Sequence, residues 1–222
     1  MKQYDSARPQ ILFEDNHLLF VDKPAGLLTQ PSGTDEDSLE SHVKAYLKNK
    51  YHKPGNVYLH AVHRLDKSAS GIVLFAKTSK ALGRMNELIR ERKVKKQYLA
   101  IVEGHFESKS GTLRHFLVHD AHKAIVDADE GANGGKESVL HYEVVDVRDN
   151  RSLVRIDLET GRYHQIRAQL AAVHHPIQGD TKYGSRLAFQ DGAIALQHYA
   201  IEFVHPVTQE QIICRVRVLL AL

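Results

Sequence analysis

His63-Arg64-Leu65-Asp66-Lys67-Ser68-Ala69-Ser70-Gly71 runs straight into the apolar segment Ile72 to Ala76. This places a carboxylate beside two or three cationic groups at the mouth of what reads as a buried strand. Such surroundings suit a carboxylate that acts as nucleophile or base, the chemistry open to Asp66. Asp followed by Lys, Ser and Gly is also ordinary turn chemistry, and this stretch alone fits both readings. A second cluster, Glu159-Thr160-Gly161-Arg162-Tyr163-His164-Gln165-Ile166-Arg167, concentrates two guanidiniums, an imidazole and an amide at a turn-to-helix junction. The planar fork of arginine suits a carboxylate or phosphate, so this cluster could clamp an RNA backbone or pair with a distant aspartate. Alone it also reads as an exposed polar helix start.

Two other motifs are weaker. Gly131-Ala132-Asn133-Gly134-Gly135-Lys136 lacks the leading glycine of a phosphate-binding loop, where Asp129 stands, and no Ser or Thr follows its lysine. His115, His119 and His122 could share one helical face for zinc, but they scatter if Phe116 to Val118 is strand, and no cysteine or carboxylate partner stands at a recognised spacing. No metal site is expected.

The elements that must position these residues form a mixed, strand-rich pattern. Ile11 to Phe13 and Leu18 to Val21 read as a hairpin, and Lys23-Pro24-Ala25-Gly26 as a turn. Ser38 to Lys50 reads as an amphipathic helix with Leu39, Val43, Tyr46 and Leu47 on one face. Residues 71–77 and 97–103 read as strands around a helix that Thr78 or Ser79 would cap, with Leu82, Met85 and Ile89 inward and its basic residues outward. Asp127 to Ser138 reads as a loop before a hairpin of Val139 to Val147 and Ser152 to Leu158. Arg162 to His174 has helical spacing at Tyr163, Ile166, Leu170 and Val173 and is stopped by Pro176. Ile194 to Val204 and Gln211 to Val218 close the chain as strands. Hairpins dominate and helices do not alternate regularly with strands, so the expected class is α+β, with a mixed, mostly antiparallel sheet and flanking helices.

With 222 residues, 42% of them hydrophobic, the chain can bury a sizeable core, and residues 1–222 are expected to form a single domain. Cys214 is the one cysteine, which excludes an intramolecular disulfide and fits a reducing compartment, where it reads as a small buried hydrophobe. No signal-peptide pattern and no apolar run of membrane-spanning length is present, so a cytoplasmic protein is expected. The net charge of +3 hides a strong asymmetry: residues 60–98 carry +7, which leaves −4 on the rest. A field this uneven around a candidate carboxylate suits a polyanion partner.

Taken in order, His63-Arg64-Leu65-Asp66 with Ser70-Gly71 and Ala76-Lys77-Thr78, Lys96-Gln97-Tyr98-Leu99-Ala100, and Thr160-Gly161-Arg162 with His164-Gln165-Ile166-Arg167 closely resemble the RluA family of pseudouridine synthases. The resemblance extends upstream to Val21-Asp22-Lys23-Pro24-Ala25-Gly26. Downstream it takes in His175-Pro176-Ile177, Gly179-Asp180 and Tyr183-Gly184. It implies the pseudouridine synthase fold and an isomerase that cleaves the ribose-to-nitrogen bond of a uridine in ribosomal or transfer RNA, rotates the uracil, and rejoins the sugar through a ring carbon. Neither metal nor organic cofactor is implied. Asp66 would be the catalytic carboxylate, attacking the glycosidic carbon or removing a neighbouring sugar proton. Arg167 would pair with that aspartate, and Tyr98 would stack on the target ring and assist loss of its last proton. Arg64 would fill the gap left by the flipped uridine, with help from His63. Arg162, His164 and Gln165 are expected to contact the substrate.

Several positions depart from the family pattern. Tyr163 stands where a small or hydroxyl residue is common, Arg167-Ala168-Gln169 replaces Arg-Val-His, and Gln178 and Leu196-Gln197-His198 also differ. About ten residues precede the first expected strand, so the small N-terminal RNA-binding domain of many relatives is not expected here. The partner would be an RNA stem-loop recognised by the catalytic domain of a monomer. The residues also fit two other classes: a non-catalytic RNA-binding module, and a nucleic-acid glycosylase that releases the base to water.

Overall fold

The computed structural model of the protein describes Asp5 and residues 8–33, 36–129 and 131–222. Strands β1 (Gln10–Glu14) and β2 (Leu18–Lys23) precede helix α1 (Leu39–Lys50), and β3 (His60–Ala61) and β4 (Ser70–Ala76) precede α2 (Ser79–Arg90). Then come β5 (Lys95–Glu103), β6 (Ser110–Asp120), β7 (Lys123–Val126), β8 (Lys136–Arg148) and β9 (Arg151–Leu158). Helix α3 (Gln165–Ala172) and strands β10 (Leu196–Val204) and β11 (Gln211–Arg215) complete the order. The class is α+β with a mostly antiparallel sheet, as expected. The chain forms two compact units, Met1–Val94 with Ala200–Val216, and Lys95–Tyr199 with Arg217–Leu222.

In the first unit the strand order is β1-β2-β4-β10, with β11 on β10 and β3 on β4. Leu18 to Val21 and Ile72 to Ala76 have no exposed surface, which is why their sequences are continuous apolar runs rather than alternations. Ser38 caps α1 by accepting the Ser41 N–H, and Thr78 caps α2 by accepting the Ala81 N–H at 3.1 Å. Helix α2 buries Ala81 and Met85 and leaves Lys80, Arg84 and Arg90 exposed, the basic outward face that its periodicity predicts. Cys214 is buried on β11, where burial pushes its thiol up to about 11.

In the second unit the order is β5-β9-β8-β6-β7. Strand β8 begins at Lys136, so the expected loop ends three residues sooner, because Lys136 to Ser138 pair with β6. The loop itself is organised by the Asp127 carboxylate, which accepts the N–H groups of Asp129, Gly131 and Asn133. His115 and His119 lie on strand β6, so the helical histidine face does not exist. Helix α3 starts at Gln165 rather than Arg162: His164 has φ 49°, in the left-handed region, and leaves Tyr163 outside the helix. Helix α3 packs on β6 and β7. Among the described residues no helix is long and apolar enough to cross a membrane.

Gly71, the second residue of β4, has φ 109° and stands opposite Lys23 in the β2–β4 register. An L side chain is strained in that backbone conformation, so Gly71→Ala should lower unfolding free energy by about 1–3 kcal/mol in denaturant titration. An unchanged midpoint would show that the backbone relaxes freely there.

Candidate active site

In the first unit Asp66 sits half-buried on the loop between β3 and β4. The Ala69 N–H donates to the Asp66 carbonyl at 3.1 Å, so the residue opens a tight turn, and the turn and carboxylate readings describe one feature. Three anchors hold the loop. The Thr29 hydroxyl donates to the Leu65 carbonyl at 2.9 Å and accepts the Leu65 N–H at 3.1 Å, which fixes both polar groups of the residue before Asp66. The Gly26 N–H donates to the Lys67 carbonyl at 2.7 Å. Lys23, with no exposed surface, donates from Nζ to the carbonyls of Pro24 at 2.9 Å, Leu27 at 2.7 Å and Lys67 at 3.2 Å.

The loop therefore presents alternating environments. Leu65 is buried, Arg64 and Lys67 are exposed, and Lys67 pairs with Glu36. His63 Nε2 accepts the Leu74 N–H at 3.3 Å, which ties its ring to β4. Burial pushes the Lys23 ammonium down to about 7, opposed by the fields of Asp66 and Asp22, and pushes the Asp22 carboxyl up to about 6. Lys23 was readable as the first residue of the turn Lys23-Pro24-Ala25-Gly26. Its role as the clamp on the Asp66 loop was not, because its acceptor on Lys67 lies 44 residues away.

In the second unit Tyr98 is buried on β5, 6% exposed, and its ring stacks on His198 with centroids 4.5 Å apart and planes 17° off parallel. The neighbouring Gln97 is held by Asp157, which accepts from Nε2 at 2.6 Å, and by the Tyr199 hydroxyl, which donates to Oε1 at 3.2 Å. His198, one of the departures from the family pattern, thus backs the tyrosine.

Arg167, on α3 and 5% exposed, makes a bidentate pair with Asp180: Nε to Oδ2 at 2.6 Å and Nη2 to Oδ1 at 2.8 Å. Its guanidinium lies 5.0 Å from the centre of the Tyr183 ring. The Tyr183 hydroxyl accepts the Ala124 N–H at 2.8 Å and lies 3.0 Å from His164 Nδ1, while Tyr163 stacks on His164 with centroids 3.9 Å apart. Gln165 is buried. Its Oε1 accepts the Thr160 hydroxyl and the Arg162 N–H, and its Nε2 donates to Val139 and Gln169. Gln165 and His164 therefore shape the turn that carries Arg162, whose own side chain is exposed and donates to the Glu137 carbonyl at 3.3 Å. Gln169, another departure, is equally engaged, donating to the carbonyls of Leu113 and Ser138. Asp180 was visible as a family motif but not as the partner of Arg167, since nothing in the spacing links the two.

Two outcomes follow from these buried charges. Asp180→Ala removes the bidentate partner of a buried guanidinium and should cost about 3–5 kcal/mol of stability, whereas replacing both members with apolar residues should cost less; equal losses in denaturant titration would contradict the pairing. Between about 3.8 and 6 the folded chain keeps a proton on Asp22 that the unfolded chain has released, so this contribution to stability falls as pH rises. Between about 7 and 10.5 the unfolded chain keeps a proton on Lys23 that the folded chain has released, so that contribution rises. Relative to the native protein, Asp22→Asn should flatten the first slope and Lys23→Met the second. Parallel pH–stability profiles would rule the assignment out.

The sequence profile of the family described as RNA pseudouridylate synthase matches residues 17–172. An uncharacterized RNA pseudouridine synthase of Bacillus subtilis is 36% identical over 208 residues, covering 91% of this chain and 66% of its own length. Ribosomal large subunit pseudouridine synthase D of Zymomonas mobilis is 33% identical over 215 residues, covering 91% of this chain and 67% of its own. The chain thus spans about two thirds of the length of these curated relatives. The solved structure of Human RNA Pseudouridylate Synthase Domain Containing 4 superposes with a TM-score of 0.78 over 94% of this chain and 88% of its own, at 22% identity. That of Human RNA Pseudouridylate Synthase Domain Containing 1 does so at 0.75 over 98% and 86%, at 24% identity. These two likenesses establish a shared fold. The profile match runs from before β2 through the Asp66 loop and β5 to the end of α3, and on that extent the chain belongs to the RNA pseudouridylate synthase family.

Proposed function

We propose that the protein isomerises selected uridines to pseudouridine in structured ribosomal or transfer RNA, with Asp66 as the catalytic carboxylate and no metal or organic cofactor. The observation that carries this reading is the continuous family match over residues 17–172, within which Asp66, Tyr98 and Arg167 stand in the family's motif order. The reaction is an isomerisation, so the protein must supply position, charge and proton transfer. The bond from ribose to ring nitrogen breaks, the uracil turns, and a new bond joins the ribose to a ring carbon that then loses its proton.

Asp66 acts at the sugar, as nucleophile on the glycosidic carbon or as base on the neighbouring proton. Its loop supports the role: Thr29, Gly26 and Lys23 fix the backbone on both sides of the carboxylate, which limits the reorganisation needed at the reacting atom. Tyr98, rigid against His198, stacks on the uracil and helps take the last ring proton. Arg167 supplies the buried cation that the family pairs with the carboxylate. Arg64 is exposed beside Asp66 and occupies the gap left by the flipped uridine, an extrusion that costs a few kcal/mol, with His63 in support. Arg162 meets the RNA backbone from a turn that His164 and Gln165 hold. The stem-loop is recognised by backbone contacts and shape, to which the exposed Lys80, Arg84 and Arg90 of α2 contribute. The protein works as a monomer in the cytoplasm, a setting that fits its single, buried, unpaired thiol.

Incubating purified protein with RNA free of pseudouridine should yield a mass-neutral product. Asp66→Asn should lower its formation by about a thousandfold or more while RNA affinity stays within about twofold. Retention of product by Asp66→Asn would remove the aspartate from the mechanism. Release of free uracil would favour hydrolysis of the glycosidic bond instead.

A further inference from the structure

Lys96 is a buried cation with no acceptor for its ammonium among the described residues. It is 9% exposed on β5, two positions before Tyr98, so the two side chains leave the strand on the same face. The Nζ lies against the turn after β9, where a Cβ added to Gly161 would sit 3.3 Å from it. Among the described residues that turn gives the ammonium no hydrogen bond: Thr160 Oγ1 accepts the Val139 N–H and donates to Gln165 Oε1, and the Glu159 carboxylate faces His141 at 3.4 Å. Burial alone pushes the ammonium below its ordinary range, with no neighbouring carboxylate to hold it up. Lys23 in the first unit shows what a satisfied buried lysine looks like in this chain, with three carbonyls around one nitrogen.

A buried ammonium without a partner destabilises the folded state and is retained where a ligand completes it. We propose that Lys96 is a phosphate subsite, which takes one backbone phosphate of the RNA next to the nucleotide whose base lies on Tyr98. This rests on the reading of Tyr98 as the stacking residue. Positions i and i+2 on a strand are about 6.6 Å apart, the scale that separates a base from its own backbone phosphate. Phosphate oxygens supply the acceptors that the Gly161 turn withholds, and the absence of a side chain at Gly161 leaves room for them. Lys96 therefore combines a compact charge with a fixed distance from the stacked ring, and it would report that the flipped nucleotide is fully seated.

The test compares the native protein with Lys96→Met and Lys96→Gln, using total RNA from cells that lack the gene as the probe. The logarithm of RNA affinity is followed against the logarithm of salt concentration, together with initial rates of pseudouridine formation at limiting RNA and thermal midpoints. Loss of one phosphate contact should flatten the salt slope by roughly 0.7–0.9 and lower the limiting rate by about tenfold or more. The thermal midpoint of Lys96→Met should not fall, because an uncompensated buried charge has been removed. A salt slope equal to that of the native protein overturns the proposal, whatever happens to the rate. If the native protein forms no pseudouridine, the isomerase reading fails by itself, and the salt slope still decides the role of Lys96.

Discussion

The position of the Asp66 loop depends on the Lys23 ammonium. It has three protons and three acceptors, two from the turn that follows β2 and one from Lys67. The Lys23 side chain has no exposed surface, and its acceptors are all backbone carbonyls. An apolar side chain there would deprive the Pro24 and Leu27 carbonyls of this donor, a cost of the kind that native structures avoid. The Gly26 N–H meets the same Lys67 carbonyl, and Gly71 opposes Lys23 across the β2–β4 ladder. The carboxylate thus stands on a turn whose backbone is set from within the unit, not by the loop's own flexibility.

The second unit follows the same logic with different groups. Arg167 is buried because Asp180 meets it at two points, and Gln165 and Gln169 are buried because each of their amides has acceptors and donors on several elements. Polar networks of this kind are stable only when complete. Completeness explains how the chain tolerates Gln169 where the family commonly has histidine: the amide donates to the carbonyls of Leu113 and Ser138 and accepts from Gln165. His198 is a similar case. It departs from the family pattern, yet it forms the stacking surface behind Tyr98.

Much of this was legible in the residues, and the failures have physical causes. Fully buried strands write themselves as unbroken apolar runs, so β2 and β4 were plain, and Ser38 and Thr78 announced their helices because a hydroxyl at the N-cap has a recognisable spacing. Helix α3 was overextended because Tyr163, Ile166, Leu170 and Val173 keep the helical period, while its true start is set by a left-handed His164 with no side-chain cap to signal it. The shared helical face of His115 and His119 does not form because these residues lie on β6, and spacing i, i+4 fits a strand as well as a helix. Burial of single charges was the least readable feature. Lys96 stands in a run with Lys93 and Lys95, which are exposed, and only the strand's alternation separates it from them.

The account stands or falls on whether this chain makes pseudouridine. The most direct measurement is quantitative pseudouridine mapping across total RNA from cells with and without the gene, followed by addition of the purified protein to the RNA that lacks the modification. One or a few uridines in structured ribosomal or transfer RNA should lose the modification without the gene and regain it on addition of native protein but not of Asp66→Asn. Unchanged maps, together with no modification of any transcript by the purified protein, would contradict the account.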